Sequence, residues 1–573
     1  MRNIIAFLGM AFISVNSCVA QWRFDGDTTA TWEQAIARFK ELDRMHSGAK
    51  LFEIGNDDDG SPLHLFVISD GSGFTPDSLR AAGKNILWIT NAIHPGEPDG
   101  VDASMLLAQA LLESDQLMGL TVNAAVCIVP VYNISGAKQR SSTSRANQNG
   151  PKGYGFRANA RNLDLNRDFI KTDSRNARSL ISAMTYWDPD IYFETHVSNG
   201  ADHQYVMELM ISHPALMDTA LVGFTERLLV PRQYEWMGSR NIKMGPYFET
   251  LHNTPEQGLT GFVDGPRYST GYATLRQRIG ILSESHMLKP YADRVNATLH
   301  LMFGTLACMN EHPAELFAAR KQARASAEEC LHYATNWSID TNEVAAHVWS
   351  GYAVDTVKSE VSGLPRIHYD HKRPTEGKVP WMNAGTAALH IERPVAYLIP
   401  QAWHEVIDRL RLDAVPMEVL TGDRPFISEV QYIEDHTDTK QPYEGHYLHR
   451  NITTTTKRDT LMGRVGDVRV PMGNATDALV MVILEPRCAD SFFAWGFFDS
   501  ILQQKEWFSD YVFEDIAKDL LAKDPALKAE LEAKQDTDPE FAKDAWAQLY
   551  FVYQRSPYFE PGYRRYPVLR VVE

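Results

Sequence analysis

The sequence predicts an α/β protein: a three-layer sandwich around a mixed, mostly parallel sheet, followed by a β-rich α+β C-terminal region. Three observations carry this. Between about residues 63 and 285, short and continuously apolar stretches alternate with amphipathic helical ones, the pattern of strands covered on both faces. After Trp337, β-favouring residues with turn signals between them dominate. The composition is globular, with 573 residues, 44% hydrophobic and 23% charged, which leaves room for several domains and none for extended disorder.

Taken in order, residues 63–69, 86–90, 126–131, 191–193 and 281–282 read as buried strands. Residues 101–113, 176–186 and 214–229 between them have helical spacing, and 287–335 is helical for most of its length. A boundary near 337–343 separates residues 21–337 from residues 338–573. In the second part, 387–400, 415–421, 426–433 and 443–469 favour β structure, 478–484 reads as another strand, and 510–534 returns to helical spacing.

Residues 1–20 carry a targeting pattern. Arg2 precedes an apolar run over 4–15, and Cys18-Val19-Ala20 ends in small residues before Gln21. This is a signal peptide cleaved after Ala20, which predicts a secreted or periplasmic protein. Lipid anchoring at Cys18 is the lesser alternative, because Asn16 fits a lipoprotein box poorly. No later run reaches eighteen apolar residues, so no integral membrane segment is expected.

Lys and Arg number 56 against 73 Asp and Glu, a net charge of −17. Such a surface repels polyanions and excludes a nucleic-acid-binding role. Five cysteines without a CxxC pair exclude a disulfide-dense scaffold and a zinc ribbon. The pairing of Cys127, Cys308, Cys330 and Cys488 and the oligomeric state are left open.

The residues that carry chemistry begin with His94-Pro-Gly-Glu97, directly after the apolar strand 86–90. HxxE alone is weak, and a second copy, His312-Pro-Ala-Glu315, sits in helical sequence and reads as surface. His94 and Glu97 lie where a strand runs into a loop, and ligands of open α/β sheets gather at such strand ends. His196 ends a second apolar strand. A catalytic zinc needs three protein ligands and one open position, and His, Glu and His form such a set. The pairs His368/His371 and His446/His449 read as ordinary strand residues, since positions i and i+3 of a strand point to opposite faces.

Two further segments complete the pattern: Leu163-Asp-Leu-Asn-Arg-Asp-Phe169 and Gly280-Ile-Leu-Ser-Glu284. With these four pieces in order over about residues 86–291, the chain resembles the zinc metallocarboxypeptidases of the carboxypeptidase A type. The resemblance implies that 21–337 is a catalytic domain binding one zinc per chain through His94, Glu97 and His196. It implies that Asn166 and Arg167 clamp a substrate carboxylate, for which a planar guanidinium is well suited. Asp164 would hold the ring of His94. Glu284 would be the general base, its pKa raised by desolvation at a strand end.

The resemblance is looser at two positions. The Arg that polarises the carbonyl is assigned to Arg157, with Arg145 and Arg161 as alternatives. The mobile capping Tyr is assigned to Tyr268, with Tyr272 and Tyr247 competing. The pocket-base residue and the role of His286, two residues beyond Glu284, are unassigned, as is the role of 338–573. The implied activity is removal of C-terminal residues from peptides, on a peptide or small amide with a free carboxylate. The alternatives are a related zinc amidohydrolase acting on N-acyl amino acids or cell-wall peptides, or a non-catalytic binding protein on the same scaffold.

Overall fold

The computed structural model describes residues 21–573. The signal-peptide and Cys18 readings fall outside the described residues. The chain lays down β1 (Ala49–Asn56), β2 (Pro62–Ile68), β3 (Asn85–Thr90), β4 (Ala124–Val129), β5 (Ile191–Ser198), β6 (Met207–Ile211) and β7 (Met244–Pro246). Two short strands follow, β8 (Glu249–Thr250) and β9 (Leu259–Thr260), and then β10 (Ile279–His286).

Eight of these form one mixed sheet in the order β1-β2-β4-β3-β5-β10-β6-β7. Its centre, from β4 through β3 and β5 to β10, is parallel. The antiparallel pairs β1/β2, β2/β4 and β10/β6 flank that centre.

The central strands are apolar throughout because both faces are covered. Leu87, Ile89, Val126 and Ile128 belong to one core with the helices Asp99–Glu113 and Tyr291–Glu311. Ile86, Trp88, Cys127 and Val129 belong to the opposite core with Leu180 and Met184 of the helix Arg175–Trp187. Each such side chain taken from water contributes on the order of 1.5–3 kcal/mol, so the alternating faces hold the three layers in register.

The second core does not stop at the helix layer covering the sheet. Tyr397, Met481 and Phe493 of the C-terminal region belong to the same buried cluster as Trp88 and Leu180. In that region β11 (His332–Asp340) pairs with β14 (Ala384–Glu392). Between them a long hairpin, β12 (Ala345–Lys358) and β13 (Pro365–Met382), joins β9 and β8 in a four-stranded sheet. A third, six-stranded sheet includes the long strands Arg424–Asp438 and His449–Gly463.

One element differs from the expectation. Residues 478–484 lie in a helix, Asp477–Leu484, rather than a strand. All eight of its residues are buried, so its sequence shows no amphipathic period, and a short continuous apolar run does not distinguish a strand from an enclosed helix. The helical reading of 287–335 resolves into Tyr291–Glu311 and Pro313–Glu329, with β11 beginning at His332. Cys127, Cys308, Cys330 and Cys488 are all free thiols. Among the described residues, no helix is long and apolar enough to cross a membrane.

Candidate functional site

The parallel strands β3, β5 and β10 bring their carboxyl ends to one edge of the sheet. After β3 the chain turns sharply, with Ala92 at φ 53° and the Glu97 N–H donating to the His94 carbonyl over 2.8 Å. That turn folds His94 and Glu97 towards β5. In the sheet register His196 of β5 is level with Glu284 of β10, and side chains at paired positions point to the same face.

The result is a tight cluster. Glu97 Oε2 lies 3.3 Å from Nδ1 of His94 and 3.2 Å from Nδ1 of His196. One ligand atom from each of these three buried residues lies within 4.8 Å of the other two. The outward nitrogens are both backed by carboxylates: His94 Nε2 is 2.9 Å from Asp164 Oδ1, and His196 Nε2 is 2.9 Å from Glu194 Oε2. Nitrogens that converge while their ring partners are anchored by carboxylates are the usual arrangement of histidine metal ligands. Two imidazoles and one carboxylate are a donor set suited to zinc. The residues therefore fit the metal.

Electrostatics follow from this packing. Burial would raise Glu97, but Arg145 and His94 hold its carboxyl well below the usual carboxylate range. Asp164 is held low in the same way, by His94, Arg157 and Arg167 against its burial. Glu284 behaves oppositely. Burial pushes it up to about 8, and the negative charges of Glu97 and Glu208 add to the rise while His196 opposes it. A carboxylate with an elevated affinity for protons beside a cluster of this kind suits proton transfer.

Beside the cluster is a cavity of about 290 Å³ lined by His94, Glu97, His196, Asn166, Arg167, Tyr268, Arg157 and Glu284 among others. Every residue assigned a role in the sequence thus lies on it, apart from Asp164, which stands behind His94. Of the competing arginines, Arg145 and Arg157 line the cavity. Arg145 bonds Glu97 and the Val197 carbonyl, whereas Arg161 is directed to the Asp173 carbonyl. Of the competing tyrosines, Tyr268 and Tyr247 line the cavity, whereas Tyr272 is fully buried against Asp413.

Arg167 stacks over the Tyr268 ring, 4.3 Å from its centroid, and donates from Nε to the Tyr443 hydroxyl over 3.1 Å. Glu444, next in the chain, accepts the Asp164 N–H over 2.7 Å. The C-terminal region therefore buttresses Arg167 and Asp164 from behind, contacts that the sequence does not specify. Nothing local marks two residues some 280 positions from the ones they touch. Glu194 was legible in principle, since it is two residues before His196 and on the same strand face. Asp264, a further residue of the lining, is buried, and its carboxyl is pushed up to about 7.

A family model described as zinc carboxypeptidase matches residues 36–276. Carboxypeptidase 2 of Trichophyton tonsurans is 32% identical over 436 residues, 72% of this chain and 73% of that protein. Carboxypeptidase 2 of Trichophyton rubrum is 22% identical over 502 residues, 82% of this chain and 85% of that protein. Among solved structures, a metallo-carboxypeptidase from Pseudomonas aeruginosa aligns at 16% identity over 50% of this chain and 70% of that one, with a TM-score of 0.37. The chain belongs to the zinc carboxypeptidase family of metallopeptidases.

Proposed function

We propose that the protein is an exported zinc exopeptidase that removes single residues from the carboxyl ends of peptides. The observation that carries this is the convergence of His94, Glu97 and His196 beside Glu284, with the fixed cation Arg167 on the same cavity. A zinc ion held by those three residues supplies Lewis acidity to a carbonyl oxygen and lowers the pKa of water. The remaining work falls to side chains of this chain. Arg167 meets the terminal carboxylate with charge-assisted hydrogen bonds and Asn166 adds another, which places the last peptide bond over the cluster. Glu284 takes a proton from the attacking water and returns it to the departing amine.

Negative charge grows on the carbonyl oxygen as water adds, and a guanidinium near it lowers the barrier. Arg157 is the group for this. Its side chain is 44% exposed while Asp164 Oδ2, 3.0 Å away, and Glu97 Oε1, 3.4 Å away, hold it at the cavity, so its open edge faces substrate. Tyr268, stacked under Arg167, closes over the bound residue. The apolar run and small residues at 4–20 support export, to the outside or to a periplasm.

The test is a mixed peptide library incubated with purified protein and followed by mass spectrometry. Loss of single C-terminal residues is the expected result. Cuts at internal bonds, or deacylation of N-acyl amino acids with peptides left intact, would overturn the exopeptidase reading.

A further inference from the structure

His286 stands two residues beyond Glu284 on β10, and the reaction gives it nothing to do. It is fully buried, and neither of its ring nitrogens has a hydrogen-bond partner. An imidazole carries one N–H and one lone pair, or two N–H groups when charged, and leaving both nitrogens unmatched in a core is unfavourable. A group without partners at such a position asks for one.

Its neighbours narrow the identity of that partner. His203, also fully buried, lies with its ring centroid 4.0 Å from that of His286. Glu208 of β6, 1% exposed, directs Oε1 between them, 2.8 Å from His203 Nε2 and 3.6 Å from His286 Nδ1. One ligand atom from each of the three lies within 4.8 Å of the other two, the same closeness shown by His94, Glu97 and His196. On the far side of His286, Nε2 faces Asp202 Oδ1 at 3.8 Å, too long for a hydrogen bond but in the place of the carboxylates that back His94 and His196. Asp202 Oδ1 is itself without a hydrogen-bond partner.

We propose that His203, Glu208 and His286 bind a second divalent transition-metal ion of the zinc class, which fastens the end of β10 to β6. Two imidazoles and one carboxylate suit zinc and its neighbours, whereas calcium and magnesium want oxygen donors. The nearest competing cation, Lys289, is engaged elsewhere: its ammonium donates to the His203 carbonyl and lies 3.9 Å from Asp202. The remaining His-rich cluster, His436, Asp438 and His449, is different. There the carboxylate is open to solvent, with the Asp438 side chain 50% exposed, whereas His203, Glu208 and His286 are all buried.

The role of such an ion is structural. Trp349 and Phe248 stand edge-on to His203, each with ring centroids 5.5 Å away, and close the site from solvent. Glu208 is the register partner of Glu284 across β6 and β10, so an ion on Glu208 and His286 pins the strand that carries Glu284 to β6.

The experiment is metal counting by mass spectrometry on full-length protein saturated with zinc and then freed of loosely held metal. Native protein is expected to hold two equivalents, His196→Ala one, and His203→Ala or His286→Ala one. The double variant His196→Ala/His286→Ala should hold none. Should a histidine variant fail to fold, the isosteric Glu208→Gln makes the same comparison. A single equivalent in saturated native protein overturns the proposal, as do two equivalents in the folded His286→Ala or Glu208→Gln chains.

Discussion

His196 Nε2 lies 2.9 Å from Glu194 Oε2, an oxygen that also accepts from the Ser269 hydroxyl over 2.7 Å. The other Glu194 oxygen takes the Tyr192 hydroxyl at 2.7 Å, so the carboxylate is fixed at both ends. It can therefore hold the His196 ring so that Nδ1 faces Glu97, as Asp164 does for His94. The cluster is symmetrical in this respect, with each imidazole standing between Glu97 and a buried carboxylate.

Loss of either backing carboxylate should be felt at the metal. Glu194→Gln or Asp164→Asn is expected to weaken zinc at the His94–Glu97–His196 cluster by about 10- to 100-fold. His196→Ala should remove that equivalent altogether while leaving the chain folded, because the cluster sits on a preformed sheet. A titration against a chelator of known affinity measures this, read as the zinc lost relative to native protein. Unchanged affinity in both carboxylate variants would mean that they serve only to fill the core. Stripping the metal with the same chelator should abolish turnover, and added zinc should restore it.

Glu284→Gln preserves shape but cannot take up the water's proton. Turnover should fall on the order of 10²–10⁴-fold, with zinc content and inhibitor affinity near native. Near-native turnover in this variant would transfer the role to another carboxylate of the cavity.

Much of this was legible because it is local. The strand ends before His94, at His196 and at Glu284 announce themselves by continuous apolar runs, and Asn166-Arg167 sits in a short motif. These residues do lie on one cavity. What was not legible depends on contacts that sequence spacing cannot carry. Tyr443 and Glu444 reach Arg167 and Asp164 from the loop between the strands Arg424–Asp438 and His449–Gly463. The helix Asp477–Leu484 lost its period because it is enclosed on every side. Arg145 and Arg157 could not be separated from Arg161 until the loop bearing them was folded.

Outside the cavity, Asp188 makes a stability prediction with a definite pH dependence. It ends the helix Arg175–Trp187 in a left-handed conformation, φ 47°, and receives Arg278, Arg320 and Arg324. Burial would raise its pKa, but Arg320, Arg278 and Arg324 hold it well below the usual carboxylate range. A carboxylate depressed in the folded state adds stability that is complete above its unfolded pKa of about 3.9. That stability fades as pH falls from there towards the folded value.

Asp188→Asn keeps the backbone conformation, which Asn tolerates, and removes only the charge. With 33% of the Asp188 side chain exposed, screening reduces the effect below that of a fully buried pair, to roughly 1–3 kcal/mol at neutral pH. The difference in unfolding midpoint between native and variant protein should hold steady from about pH 8 down to pH 5 and narrow below about pH 4. A difference that persists undiminished at pH 3 would mean that Asp188 acts through packing rather than charge.

The last prediction separates recognition of a chain end from cleavage within a chain. Arg167 is buried enough, at 21% side-chain exposure, that its charge is felt by a ligand rather than lost to water. It is also held in place by Tyr443 through Nε and by its stack on Tyr268. A free terminal carboxylate meets it with paired hydrogen bonds, and an amide cap removes the charge that made them strong. Breaking one side of a buried charge pair costs on the order of 2–5 kcal/mol. At about 1.4 kcal/mol per decade this is roughly 30- to 4,000-fold in kcat/KM. Arg167→Ala should impose a similar loss on the free acid and add little on the amide, where the contact is already gone. Tyr443→Phe, which removes only the hydroxyl that orients Arg167, should fall between native and Arg167→Ala on the acid and match native on the amide. The native, Arg167→Ala and Tyr443→Phe proteins, each assayed on acid and amide, form a cycle whose coupling energy is the carboxylate contact. Equal rates on acid and amide in native protein would reject Arg167 as the clamp while leaving the metal cluster untouched.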